Sequence, residues 1–383
     1  MTRTSADSLV TAPPPAPGRP GPVATDPARR YRLVLTAGML ALAGAVIGGI
    51  GLGSSTVPVT DVLASLGHHL TSGVADILGR IGIHLPSVVA PPDSLSDMIV
   101  WRLRVPRTLA AAIVGVALGL AGTVLQAMVR NPLADPYVLG VSSGASLTAA
   151  LVMSSASAVW IRNAGVPSAA FVGALGALLL VLVFAHRRGT FTGSRIVLAG
   201  VGVGQVAAAA TALVQLHAEP AEIRGMLFWM MGSVAGVDAL APLLVPAIGV
   251  TACAAVLFGS TRSLNALALG DDDAVALGVH VNAFRVQMIV IAAVLTGMAV
   301  SVAGGVGFVG LMAPHVARFL VGADHRRVLP VAAVLSAGFV VLVDTVARTV
   351  DAPNEYPLTI ITAAVGGPFF LWLLRRSRTG GAV

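Results

Sequence analysis

The chain of 383 residues contains no lysine, so all 24 of its Lys and Arg residues are arginines. The phosphate-binding loop G-x-x-x-x-G-K-[ST] needs a lysine that reaches the nucleotide phosphates, and its absence excludes nucleotide hydrolysis by that route. Charged residues make up only 11% of the chain and hydrophobic residues 56%, whereas soluble proteins average about 25% charged residues. This composition predicts an integral membrane protein.

Residues that serve hydrolytic catalysis are also scarce. Neither H-E-x-x-H nor G-x-S-x-G occurs, and the only glutamates, Glu219, Glu222 and Glu355, fall in predicted loops. His315 has no nearby His, Cys or Glu in the sequence to complete a metal site, so we interpret it as a packing or hydrogen-bonding residue. The single cysteine, Cys253, excludes a disulfide within the chain. We expect a protein that is not an enzyme and that binds no metal or cofactor itself.

Ten segments are apolar enough to be read as membrane-spanning helices, which need about 20 residues each. One of them, 306–321, is short and contains Pro314, so we expect a bent or partial crossing. The first 30 residues are rich in proline and small residues, which predicts a disordered tail at 1–30 before a transmembrane domain at 31–378. The predicted spans are 33–53, 107–129, 138–158, 166–186, 195–216, 238–258, 283–304, 306–321, 329–349 and 357–375.

The distribution of arginine predicts the orientation of these spans. An even number of spans places both termini on one side, and if that side is the cytoplasm, seventeen arginines lie inside and seven outside. This distribution satisfies the positive-inside rule. The net charge of +7 is therefore attributed to topology rather than to a nucleic-acid-binding surface.

The positions of acidic residues indicate whether the protein could use an ion gradient as its energy source. An ion-coupled carrier usually holds carboxylates deep in the membrane, yet of 17 acidic residues only Asp344 lies well within an apolar run. Arg348 follows it by one helical turn, which favours a local ion pair. A role in partner docking and a proton-coupling carboxylate are the alternatives. An ion-coupled secondary transporter therefore stays as the competing hypothesis from another class.

The segment 260–285, STRSLNALALGDDDAVALGVHVNAFR, is called the coupling segment below. It is too polar to span a membrane and predicts two short helices broken around Gly270 and Gly278. The three aspartates 271–273 suit the N-terminus of the second helix. On the predicted inner side, such a helix fits a groove of a soluble subunit, whereas a solvated loop is the plain alternative. The proposed anchors are Ala274, Ala276, Leu277 and Val279.

The stretch RNPLADPYVLGVSSGAS at 130–146 separates two spans near the predicted inner side. Pro132 and Pro136 are expected to stop one helix and turn the chain into the next. Small residues follow and would let helix backbones approach closely. We interpret the stretch as a packing corner.

An ordered series of motifs from Trp101 to Arg376 resembles the permease subunits of bacterial ABC importers for ferric siderophores, haem and vitamin B12, the FecCD-type permeases. Each motif alone is permissive, but the set in this order is specific. The resemblance implies an all-α, BtuC-like ABC importer permease fold with about ten transmembrane helices. The motifs are RVPRTLAAAIVGVALGLAGTVLQ, RNPLADPYVLGVSSGA, SRIVLAGV, MLFWMMGSVAGVD, NALALGDDDAVALGV, GGVGFVGLMAPHVARFLVGADHRRVLP, VDTVAR and PLTIITAAVGGPFFLWLL.

The resemblance also implies partners and a location. It implies a multi-pass protein of the bacterial cytoplasmic membrane that contacts lipids, two cytoplasmic ABC ATPase subunits that use ATP and Mg, and an extracytoplasmic substrate-binding protein, periplasmic or a lipoprotein. A second permease subunit, identical or paralogous, would complete the pathway. We expect a ferric siderophore as substrate, with haem and cobalamin as alternatives.

Three sets of site residues follow from the resemblance. Arg104, Arg107 and Arg348, the arginine cluster, match arginines that receive acidic residues of the binding protein; lipid headgroups are their alternative partner. Thr192, Gly193 and Ser194, the gate segment, match the position of the cytoplasmic gate, although Gly193 departs from the Ser/Thr-rich pattern and the loop could be an ordinary basic one. The ATPase-coupling residues are Leu269, Gly270, Asp271, Asp272, Asp273, Ala274, Ala276, Leu277, Gly278 and Val279.

Two regions depart from the family pattern. Tyr356 and Thr359 replace an apolar residue and a glycine before the last span, close to the expected substrate entrance. The predicted outer loop at 54–100 is long, and the spacing of its apolar residues suggests an amphipathic helix lying on the outer surface or touching the binding protein. These residues are Leu70, Val74, Ile77, Leu78 and Ile81.

Overall fold

The computed structural model describes residues 26–53, 55, 57–79, 93–154, 165–186 and 191–377, and within these ranges the protein is helical without β-strands. A π-helical stretch, Met98–Arg104, directly precedes the long helix that begins at Val105, and short 3₁₀ turns occur at Pro136–Leu139 and Ala241–Leu243. The helices in chain order are α1 Pro27–Gly51, α2 Val59–Gly79, α3 Ser94–Asp97, α4 Val105–Val129, α5 Val141–Met153, α6 Val166–Ala185, α7 Gly193–Leu216, α8 Pro220–Met230, α9 Leu244–Gly259, α10 Thr261–Leu269, α11 Asp271–Ala276, α12 Val281–Ala303, α13 Val309–Val321, α14 His325–Thr349 and α15 Leu358–Ser377.

Helices occupy all ten predicted spanning segments. Seven helices in the described part of the chain are long and apolar enough to cross a membrane, and α5, α13 and the apolar part of α15 are shorter. The shortness of α13 agrees with the partial crossing expected at 306–321, and Pro314 lies inside this helix.

The first helix begins earlier than expected. Pro27 is its first residue, and the carboxylate of Asp26 accepts a hydrogen bond from the backbone N–H of Ala28 at 3.0 Å. Proline is favoured at the first helical position because its missing N–H would have no partner there. The last residues of the predicted tail are thus helical, and the rest of that tail, 1–25, lies outside the described residues.

The core is built around α4, which is buried along most of its length. It packs against α12, α13 and α14. A Cβ atom at Gly122 would lie 1.8 Å from the carbonyl oxygen of Gly310 on α13, and one at Gly119 would lie 2.1 Å from Ser336 Oγ on α14. Glycine is required at this close approach, which brings the helix backbones into direct contact.

The packing corner predicted at 130–146 lies between α4 and α5. The Asp135 carboxylate accepts from the backbone N–H of Tyr137 at 2.8 Å. The Tyr137 hydroxyl donates to the carbonyl oxygen of Val306 at 3.1 Å and accepts from the N–H of the same residue at 2.8 Å. Burial raises the pKa of Tyr137 above its ordinary value. The corner therefore fixes the segment that precedes α13.

Besides the coupling segment, helices also form outside the predicted spans, and α2 and α8 are the longest of these. α2 covers Val59–Gly79 of the long loop and begins well before the predicted amphipathic stretch, of which Ile81 is outside the described residues. α8 contains Glu222, so the prediction that this residue lies in a loop is wrong. Glu219 and Glu222 form a capping box in which the N–H of Glu219 donates to Glu222 Oε2 at 3.0 Å. The sequence EPAE carries this signal, because a capping residue is followed by proline and, three positions on, by glutamate.

Candidate functional site

The coupling segment folds as predicted into two short helices, α10 and α11, separated at Gly270. The φ angle of Gly270 is +148°, a backbone conformation that residues other than glycine rarely adopt. The three aspartates occupy the first turn of α11, where carboxylates interact favourably with the helix dipole. Gly278 has a φ of +83° and follows the end of α11.

The surface of the coupling segment differs from the predicted set of anchors. Ala274 is fully buried within the chain, so its assignment as an anchor for another subunit is wrong. Val279 is partly buried against the core. The large apolar side chains that face outward are Leu269, Val275 and Leu277, which are 70%, 61% and 64% exposed. Val275 was missed because helical spacing alone does not show which face of so short a helix packs inward.

The coupling segment is fixed to the bundle at two points. Asp271 forms an ion pair with Arg285 at 3.0 Å and another with Arg130 at 2.9 Å. In α10, the Asn265 side chain donates to Asp324 Oδ1 at 2.7 Å. Burial alone would raise the pKa of Asp324, but its hydrogen bonds from Asn265 and from the backbone of the following turn, with the nearby arginine charges, lower it.

The gate segment lies at the start of α7. Thr192 Oγ1 and Ser194 Oγ are 3.5 Å apart. A Cβ at Gly193 would lie 3.5 Å from the Cα of Val129 at the end of α4, an ordinary packing contact. The carbonyl oxygen of Phe191, the residue before Thr192, accepts a hydrogen bond from Arg285 Nη1 at 2.7 Å. The gate segment is thus adjacent to the coupling segment.

At the opposite end of α4, the arginine cluster binds groups within the chain. Arg104 Nη1 donates to the carbonyl oxygens of Ile50 at 2.9 Å and Gly51 at 2.7 Å, and Arg348 donates to the carbonyl oxygen of Gly49. Both arginines are buried. These carbonyls belong to the last turn of α1, where cations are favoured because the carbonyl groups lack helical partners.

The third member of the cluster, Arg107, pairs with acidic side chains. Its guanidinium lies 2.9 Å from Asp344 and 2.8 Å from Glu355. The predicted ion pair between Asp344 and Arg348 is present at 3.4 Å. Both carboxylate oxygens of the fully buried Asp344 therefore face guanidinium groups, which gives this residue a structural partner rather than the free carboxylate of a coupling ion site.

The two departures from the family pattern make local bonds. The Tyr356 hydroxyl donates to Asp351 Oδ2 at 3.1 Å. The Thr359 hydroxyl donates to the carbonyl oxygen of Gly305 at 2.8 Å, which joins the start of α15 to the segment between α12 and α13.

His315 packs edge-to-face near Phe369, with ring centroids 6.1 Å apart, in agreement with the packing role predicted for it. Within the described ranges, no group of three His, Cys, Asp or Glu side chains is arranged to hold a metal.

A bundle of spanning helices, with the short helix α13 packed against the central helix α4 and the two-helix coupling segment at one end of it, has the architecture of a membrane permease. The comparison with known proteins agrees, because residues 34–376 match the FecCD transport family. The chain belongs to the FecCD transport family.

Several members of known function are similar to this chain. The cobalamin import system permease protein BtuC of Halobacterium salinarum is 41% identical over 285 residues, which cover 73% of this chain and 74% of that protein. The hemin transport system permease protein HmuU of Yersinia pestis is 37% identical over 286 residues, covering 73% and 84%. The iron(3+)-hydroxamate import system permease protein FhuB of Bacillus subtilis is 38% identical over 293 residues, covering 76% and 74%.

A solved structure is also similar. It is a metal-chelate type ABC transporter in an inward-facing conformation, with a TM-score of 0.74 and 28% identity. The match covers 90% of this chain and all of that one.

Proposed function

We propose that this chain is the permease subunit through which an ABC importer carries a ferric siderophore or a similar metal chelate into the cytoplasm, driven by ATP hydrolysis on a separate ATPase subunit. The observation that carries the proposal is the coupling segment. It presents exposed Leu269, Val275 and Leu277 next to Asp271, which forms ion pairs with the half-exposed Arg130 and the buried Arg285. Apolar anchors on a rigid helix suit a groove of a soluble subunit.

The orientation belongs to the same proposal. The coupling segment and the gate segment face the cytoplasm, and the arginine cluster lies at the extracytoplasmic end. This places both termini in the cytoplasm, in the inner or plasma membrane of a bacterium. The excess of arginine on the side of the coupling segment supports this orientation, because arginines are enriched on the cytoplasmic side of membrane proteins.

A substrate-binding protein would dock at the extracytoplasmic end. Because Arg104 and Arg348 already bind α1 carbonyls, we propose Arg107 as the member of the cluster most open to an incoming carboxylate, which would replace its partly exposed partner Glu355. A guanidinium can exchange one carboxylate for another in the same planar geometry.

A second permease subunit would complete the pathway. The helices α7 and α15 support this step because they expose many apolar side chains, which suits burial against lipid or against another transmembrane subunit. Between Arg195 and the end of α7 no charged residue occurs, so the wall suits a bulky chelate that passes without tight binding. The exposed side chains include Leu198, Val206, Leu213, Leu216, Ile360, Leu371 and Trp372.

The test is reconstitution. The chain would be co-expressed with the ABC ATPase of its own organism, purified through a tag on the permease and placed in proteoliposomes with the binding protein. We expect the ATPase to be recovered in a stoichiometric complex and uptake to require ATP. A panel of ferric hydroxamate, haem and cobalamin then identifies the substrate. Uptake that follows a proton gradient without any ATPase would overturn the proposal.

A further inference from the structure

We infer that Arg285 is a positioning residue that links the coupling segment to the gate segment. This rests on the proposed function. Arg285 Nη2 donates to both carboxylate oxygens of Asp271 at 3.0 Å, and Nη1 donates to the carbonyl oxygen of Phe191 at 2.7 Å. Asp271 is the first residue of α11, and Phe191 directly precedes Thr192 of the gate segment. One guanidinium thus joins the element expected to meet the ATPase with the element expected to close the pathway.

The surroundings of Arg285 hold its guanidinium in one orientation between the two partners. Arg285 is the fifth residue of α12 and is only 3% exposed, so its side chain is held by packing. Because the guanidinium is planar and rigid, binding Asp271 through Nη2 and the Phe191 carbonyl through Nη1 fixes the positions of these two partners relative to each other. The N–H of Phe191 also reaches Asn282 Oδ1, in the same turn of α12, at 3.5 Å. The main chain of Phe191 is therefore held on the start of α12 through both its donor and its acceptor.

Arg130 provides a matched comparison. It donates to Asp271 Oδ1 at 2.9 Å from the end of α4, and its side chain is half-exposed. Replacing Arg130 removes a guanidinium from Asp271 but leaves the bond between Arg285 and Phe191 in place. If the role were only to neutralise Asp271, either arginine would serve. Of the two side chains, Arg285 is the one that also binds the main chain of Phe191 beside the gate segment.

The experiment reports on the gate segment directly. Cys253, the only cysteine, would be replaced by alanine and Thr192 by cysteine, and uptake by this background would be verified. The complex with its ATPase, in proteoliposomes, would be treated with a membrane-impermeant maleimide with and without a non-hydrolysable ATP analogue. We expect the nucleotide to change the labelling rate of the cysteine at position 192.

Arg285→Met should abolish this nucleotide response and lower uptake per ATP hydrolysed by about tenfold, while ATPase recovery persists. Arg130→Met should keep the response. Arg285→Lys should restore it in part, because an ammonium keeps the charge but not the planar fork. If Arg285→Met does not yield folded protein, Asp271→Asn breaks the same link with little change of shape and should show the same loss.

Two outcomes count against the inference in different ways. An unchanged nucleotide response in Arg285→Met, or in Asp271→Asn if Arg285→Met does not fold, with normal ATPase recovery, overturns the link alone. Failure of the unsubstituted complex to bind the ATPase or to respond to nucleotide overturns the proposed function, and the link with it.

Discussion

The Nε atom of Arg107 donates to Asp344 Oδ1 at 2.9 Å, although 237 positions separate the two residues in the sequence. The same guanidinium lies 2.8 Å from Glu355, so it joins the start of α4, the end of α14 and the segment before α15. Removing water from such charges is costly, and the cost is offset only while each charge keeps its partner. The junction of these three elements therefore depends on an intact set of ion pairs.

Replacing Asp344 by alanine should destabilise the protein strongly. Arg107 would lose one of its two carboxylates, and Arg348 would keep only its bond to α1. Removing one partner of a buried ion pair costs about 3–5 kcal/mol. Thermal stability in detergent, followed by size-exclusion chromatography, measures the effect. Asp351→Ala, at an exposed carboxylate, serves as the control, and equal stability of the two variants would contradict the structural role.

Asp344 makes one contact that the sequence predicts and one that it does not. Its pairing with Arg348 follows from the spacing of one helical turn, because such residues share a helix face. Its shorter contact with Arg107 depends on how α4 packs against α14, which no local pattern encodes. For the same reason, the sequence placed Arg104 and Arg348 near each other by resemblance but did not show that they bind the last turn of α1.

The same limit applies to the coupling segment. Its two helices and the break at Gly270 could be predicted, because glycine and the aspartates are local signals. The inward direction of Ala274 depends on tertiary packing, as does the approach of Arg285 to Phe191. Arg285 is the last residue of the coupling segment in the sequence, and no local pattern indicates its contact with Phe191.

Leu277→Asp should weaken recovery of the ATPase. Leu277 is 64% exposed, and its burial in a partner groove would contribute about 1.5–3 kcal/mol, or roughly ten- to a hundredfold in affinity. Co-purification of the ATPase at increasing dilution measures the change. Leu70→Asp is the matched control, because Leu70 is 63% exposed on α2 at the predicted opposite side of the membrane. Equal loss of ATPase in both variants would argue against the assigned surface.

Gly122→Ala should disrupt the core although it adds a single methyl group. The new Cβ would lie 1.8 Å from the carbonyl oxygen of Gly310, so α4 and α13 would have to move apart. Overpacking of this kind costs about 1–3 kcal/mol or more. Gly48→Ala is the control, since a Cβ there meets nothing within 4 Å. Folded yield and thermal stability of the two variants should differ clearly, and matching values would show that the approach of α4 to α13 is not as close as described.

Arg104→Ala tests whether the arginine cluster stabilises the fold or serves docking. Arg104 donates to two carbonyls in the last turn of α1, and a buried carbonyl that loses its donor costs about 1–3 kcal/mol. We therefore expect lower thermal stability even in the absence of a binding protein. Arg102→Ala, at an exposed position two residues earlier, should leave stability unchanged. Titration with the purified binding protein completes the test: a loss of docking affinity at unchanged thermal stability would assign Arg104 to docking and contradict the structural role derived from its contacts with α1.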